Sequence, residues 1–179
     1  MAYAIINPIS GLQPISVTDS TGFVPPGQST AIPVPPLQLG MVVQAQDPTL
    51  GMGEFILLLG VASTVVGSVV RWNSTTYQTV LVVNTAVQAC PVAVAMSANV
   101  AASWGWYQIG GNAVIKKTAV AVNPNVTVFL SGTAGRVKVV ASAGLQMVGA
   151  RSANLATVTS TTSTITVTID RPHLQSQIT

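Results

Sequence analysis

Beyond residue 40, apolar and polar positions alternate in short runs punctuated by Gly, Asn, Pro and Ser. A period of two is the signature of strands. The clearest stretch is 91–117. Small and apolar residues alternate through 92–96, aromatic and polar residues through 104–109, and 113–116 continues the pattern beyond Gly110-Gly111. A glycine pair between two alternating runs predicts a β-hairpin, which is expected to form the centre of the domain.

The same reading along the chain predicts strands at 41–46, 54–59, 65–72, 77–83, 91–96, 104–109, 112–117, 119–122, 126–130, 136–141, 147–152 and 163–170. Turn residues separate them at 47–53, 73–76, 123–125 and 131–135, while 97–103 reads as a loop or one short helical turn. Many short strands with Gly, Asn and Pro between them indicate a sandwich or a barrel. The fold class is therefore all-β, a compact body spanning 37–170. The Ser- and Thr-rich stretch 154–164 reads as a surface loop before the last strand. Arg171-Pro172 is expected to end that strand, because proline cannot donate to a ladder. Residues 171–179 then form a polar C-terminal tail.

Residues 1–36 read differently. Seven of the eleven prolines fall there, at positions 8, 14, 25, 26, 33, 35 and 36. Proline removes backbone donors and holds its predecessor extended, so this is an extended arm. It is not a polar linker: Ile5, Ile6, Ile9, Leu12 and Phe23 are among its apolar residues, and Asp19 is its only charge. Disordered linkers are poor in such residues. An apolar extended arm is laid over a surface, either a neighbour's or that of its own domain. Ile5, Ile6, Ile9, Leu12 and Phe23 are its expected anchors.

Composition sharpens this picture. Apolar residues make up 49% of the chain and charged residues 6%, against about 25% charged in ordinary soluble domains. Either partners cover much of the exterior, or Ser, Thr, Asn and Gln solvate it. The net charge of +3 rests on seven Lys and Arg and four acids. Lys116, Lys117, Arg136, Lys138 and Arg151 cluster in one third of the chain and read as solvated charges near hairpin tips. They are too sparse for the phosphate neutralisation that nucleic-acid binding needs. The most apolar segment, 55–70, is short of the roughly 20 residues of a spanning helix, and its glycines, serines and threonines divide it into strand lengths.

Candidate chemistry is thin. With one Cys (Cys90) and one His (His173), neither a disulfide nor a metal cluster can be assembled. Cys90 reads as a small buried hydrophobe. Ser63, Ser97 and Ser103 have no nearby base, so a serine triad would depend on His173 alone. No cofactor site and no catalytic constellation is expected. Trp104, Trp106 and Tyr107 would make a stacking platform for sugars only if exposed. In a strand the two tryptophans share one face and Tyr107 takes the other, which favours the core.

Several segments together resemble the capsid decoration, or cement, proteins of tailed bacteriophages. They are QAQDPTLGMGEF (44–55), GVASTVVGSVV (60–70), CPVAVAMSANV (90–100), GWYQIGGNAVIK (105–116), VGARSAN (148–154) and TIDRPHLQ (168–175). The resemblance implies a jelly-roll or tulip-like β-barrel or β-sandwich with extended termini. It also implies a structural role on the outside of the head after synthesis in the host cytoplasm. The partners implied are the major capsid protein and the chain itself, as a homotrimer rather than a homodimer, with no nucleic acid and no membrane. The apolar arm differs from the shorter polar termini of many members. The competing class is a surface-exposed module of the virion that recognises carbohydrate or host.

Overall fold

The computed structural model describes residues 37–85 and 88–176, together with the backbone of four two-residue strands within 1–36. Those four are β1 (Ala4–Ile5), β2 (Thr18–Asp19), β3 (Gly22–Phe23) and β4 (Ile32–Pro33). In the body the strands are β5 (Val42–Asp47), β6 (Gly51–Leu59), β7 (Val69–Trp72), β8 (Thr79–Leu81), β9 (Val92–Ala95), β10 (Trp104–Lys116), β11 (Thr127–Leu130), β12 (Val137–Lys138), β13 (Gln146–Ser152) and β14 (Thr164–Leu174). The described residues contain no helix. The protein is all-β, and its principal sheet is a curled antiparallel half-barrel.

The order across that sheet is β1-β5-β6-β10-β14-β13-β11-β12, with β2, β7, β8 and β9 branching from it. β10 is the shared member. One of its edges pairs with β6 from Trp104 to Gly111. Its other edge takes three strands end to end: β2 at Trp104–Gly105, β9 at Tyr107–Gln108, and β14 from Gly110 to Lys116.

The segment expected to be central is central, but it is not a hairpin. Gly110-Gly111 lies inside one 13-residue strand. Both glycines are flanked, by Glu54 and Gly53 of β6 and by Asp170 and Ile169 of β14. The register slips between Gln108 and Gly110, leaving an extra residue in β10. That is a β-bulge, which bends a strand and re-aims its partners. Gly111 has φ +88°, and a Cβ there would run into the Met52 carbonyl. A period of two on either side of a glycine pair describes a bulged strand as well as a hairpin.

A second bulge corrects the C-terminal boundary. β14 does not stop at Arg171-Pro172 but runs to Leu174, which is buried. Opposite it, β13 pairs Val148 with His173 and Ala150 with Ile169. Asp170, Arg171 and Pro172 therefore bulge out against Gly149 alone, and the missing proline donor falls where the ladder is already interrupted. Smaller differences are of the same kind. The strand expected at 119–122 reduces to one bridge, Val122 to Val158. Cys90 is half-buried, not buried.

β5 and β6 form a true hairpin. Asp47 and Gly51 pair across the three-residue loop Pro48-Thr49-Leu50, and the Asp47 carboxylate accepts the amides of Thr49 (2.8 Å) and Leu50 (2.9 Å). Gly51, at φ +79°, closes the turn.

The β6–β10 layer is buried on both faces. Phe55, Leu57 and Trp106 pack on one face with Val43, Ala45 and Met96, and Leu37 and Leu39 lie against them. Ile56, Leu58, Tyr107 and Ile109 pack on the other with Val70, Ala93 and Ala95. This explains the unbroken apolar run of β6, because a strand covered on both sides shows no alternation. A third cluster joins Ala113 and Ile115 to the inward residues of β9, β11, β13 and β14. Each such large aliphatic side chain contributes about 1.5–3 kcal/mol on burial.

The bulge predicts an asymmetry between glycines. Gly111→Ala should lower unfolding stability by about 2 kcal/mol or more, from the left-handed backbone and the Met52 carbonyl. Gly132→Ala, where a Cβ meets nothing closer than 3.7 Å, should change it by less than about 0.5 kcal/mol. Urea denaturation of both variants checks this, and equal effects would contradict the bulge.

Candidate functional site

The aromatic stretch is core. Trp104 is 2% exposed, and Trp106 and Tyr107 are fully buried. The stacking platform that a carbohydrate-binding reading required of these three is therefore absent, for the reason the alternation suggests: neighbouring positions point into opposite cores. The indole N–H groups of Trp104 and Trp106 are buried with no acceptor among the described residues. Tyr107 is better served. Its hydroxyl accepts from Asn99 Nδ2 at 2.9 Å, and Asn99 also reaches the Leu58 carbonyl. Burial pushes the Tyr107 pKa up, opposed by hydrogen bonding to Thr79, Asn99 and Thr64. These groups hold the 97–103 loop to β6 and β10, which gives Asn99 a structural role.

Of the clustered basic residues Arg151 is exposed and Lys116, Arg136 and Lys138 are half-exposed, but Lys117 is not a solvated charge. Lys117 is 1% exposed, and its Nζ donates to the carbonyls of Val120 (2.8 Å), Thr159 (3.0 Å) and Thr118 (3.3 Å). Burial draws its pKa below the ordinary lysine value. The Arg136 guanidinium donates to the Lys117 carbonyl at 3.1 Å, and Lys138 Nζ to Ser142 Oγ at 2.8 Å. Three of the clustered cations therefore brace loops. Lys117 ties 118–122 to the Ser- and Thr-rich stretch, and no periodicity in the sequence signals such a clamp.

Of the expected arm anchors, Ile5 and Phe23 fall in β1 and β3, whose backbones alone are described. Ile6, Ile9 and Leu12 lie outside the described residues. Ala4–Ile5 pairs with Gln46 and Ala45 of β5, Thr18–Asp19 with Gly105 and Trp104 of β10, and β3 with β4. His173 is exposed on β14, opposite Val148. No group of three or more His, Cys, Asp or Glu comes together among the described residues.

What sequence reasoning missed is a cleft around Trp72 and Tyr77. It has a volume of about 340 Å³ and is lined by residues from β5, β6, β7, β9, β10 and the β14 bulge. The two rings stack with centroids 6.1 Å apart and planes 18° off parallel. Trp72 carried no motif, and its partner is five residues away across a turn. The nearest signal is the turn itself, in which Asn73 Oδ1 accepts the amides of Thr75 and Thr76.

Comparison with protein-family models, with curated proteins and with solved structures finds no match to this chain. Any reading of its function rests on its own residues.

The Lys117 clamp yields a direct prediction. Lys117→Met leaves three part-buried carbonyls short of a donor and should cost about 1–3 kcal/mol of stability. Lys116→Met, a few ångströms along the strand but half-exposed, should cost less than about 1 kcal/mol. Thermal or urea unfolding compares the pair.

Proposed function

We propose that the chain is a non-enzymatic structural protein of a tailed-phage virion. It binds the outside of the head and stabilises the capsid by bridging subunits of the major capsid protein. The observation that carries this reading is the exterior of the body. Val42 (45%), Met52 (48%), Val66 (47%), Val100 (44%), Val140 (54%) and Leu155 (101%) are exposed. Between described residues there is a single ion pair, Arg171 to Glu54 at 3.3 Å. A surface this apolar and this poor in charge is unsuited to a solitary molecule at high concentration. It is suited to one whose exterior is covered by other copies and by a shell.

The arm fits the same role. Leu37 and Leu39, where the body begins, pack on the Trp106–Phe55–Leu57 face. The described strands of the arm already add to sheet edges of this chain, β1 to β5 and β2 to β10. An extended segment that adds to a sheet edge gains affinity from main-chain hydrogen bonds and specificity from alternate side chains. Ile5, Ile6, Ile9, Leu12 and Phe23 are the proposed anchors. Repetition over a symmetric lattice then multiplies modest contacts through effective concentration.

On this reading the curled half-barrel belongs to a jelly-roll or tulip-like body, assembled as a homotrimer on the outer surface of the capsid after synthesis in the host cytoplasm. Nucleic acid, membrane and cofactor have no part in it. A carbohydrate-recognition module resting on Trp104, Trp106 and Tyr107 is disfavoured by their burial.

Deleting residues 2–30 tests the arm. Occupancy on expanded, undecorated shells should fall at least about tenfold at equal protein concentration, measured by co-sedimentation. Undiminished occupancy would remove the arm from the mechanism.

A further inference from the structure

We propose that the cleft at Trp72, Tyr77 and Arg171 binds a carboxylate carried on an aryl or branched-alkyl body. Three observations converge on it. The first is shape and lining. A cleft of about 340 Å³ walled by Val42, Ile56 and Ile109 together with the two rings lies in the ~300–1,000 Å³ range of small-ligand sites. Aromatic and branched apolar walls of that kind take a flat or compact apolar group.

The second is backbone strain. Five non-glycine residues among those described have positive φ, and two of them, Tyr77 (+57°) and Arg171 (+38°), line this one cleft. Each such residue costs on the order of 1–3 kcal/mol, and strain of this kind concentrates at ligand sites. The surroundings hold both in place. The Tyr77 amide donates to the Asn73 carbonyl at 2.8 Å, and its ring lies against Gly40, where any Cβ would collide with it. Arg171 is held at the apex of the β14 bulge against Gly149, where a Cβ would meet the Asp170 carbonyl at 2.6 Å. Strain in segments almost a hundred residues apart thus brings Tyr77 and Arg171 to the same cleft.

The third is charge. The lining contains Arg171 and no acidic residue. The Arg171 side chain is 70% exposed, and its only contact with a described residue is from Nε to Glu54 Oε2 at 3.3 Å. Glu54 itself lines the adjoining cleft. The terminal guanidinium nitrogens remain free, and their fork matches a carboxylate in bidentate fashion. Besides Arg171, the polar side-chain groups of the lining are the Ser74 and Tyr77 hydroxyls and the buried Trp72 indole N–H, a sparse set for a neutral sugar. The chemistry selected is an anion on an apolar body, whether a free small acid or the C-terminal residue of a polypeptide.

Titration of the full chain, followed by amide and indole NMR shifts, tests this independently of the arm. The probes are 3-phenylpropionate, its neutral amide, an acetylated tripeptide ending in Phe with a free carboxylate, and glucose. Saturable shifts at the Trp72 indole and the Arg171 amide are expected with at least one of the two carboxylates. Saturation by both marks a small-acid site, and saturation by the peptide alone marks a polypeptide terminus. Arg171→Gln should weaken binding about tenfold, as should replacing the acid by the amide. Should Arg171→Gln fail to fold, Val42→Glu places a negative charge at the rim and should weaken binding similarly. Failure of both acids to saturate, equal binding of acid and amide, full affinity in both variants, or saturation by glucose instead would overturn the proposal.

Discussion

One strand holds the molecule together. β10 is paired on both edges and buried on both faces along its N-terminal half, and every part of the principal sheet is joined through it. A strand in that position cannot reverse at Gly110-Gly111, because reversal would strip β14 or β6 of its partner. The glycines bend it instead, and the bend curls the sheet into a half-barrel. The burial of Phe55–Leu58 in β6 and of Ile165, Val167 and Ile169 in β14 follows from being neighbours of this strand.

Much of this was legible in the residues. Alternation and β-branched content identified the strands of the body within a few residues. The β5–β6 turn declared itself through Asp47-Pro48 and Gly51, and the tryptophans were expected in the core and are found there. What failed to show depends on partners far away in the chain. Gly110-Gly111 looks the same in a hairpin and in a bulge until β14, more than fifty residues on, is seen along its edge. Pro172 is compatible with a strand only because Gly149 lets the opposite backbone absorb three residues against one. Lys117 reads as a surface charge, since nothing local announces that Val120 and Thr159 will turn their carbonyls on it. The Trp72–Tyr77 cleft was invisible for a related reason: its walls come from six separate strands.

The structural role proposed for the chain depends on what its surface lacks as much as on what it presents. Of its seven cations only Lys117 is buried, and Arg136 and Arg171 are tied to a carbonyl and to Glu54, while several valines, Met52 and Leu155 face outward. The apolar, nearly charge-free arm continues that pattern. Exposed apolar residues and sheet edges are what the proposed fastening of a shell from outside would use. The strained cleft at Arg171 stands apart from that function, as a second place where an otherwise bland surface becomes specific.

The central claim is that this exterior is covered by other copies of the chain. Native mass spectrometry of the full-length protein tests it most directly. The account predicts a homo-oligomer, with the trimer of the 18.3 kDa chain dominant, persisting on dilution to low micromolar concentration. A stable monomer at that mass, soluble at high concentration and without affinity for phage heads, would contradict it.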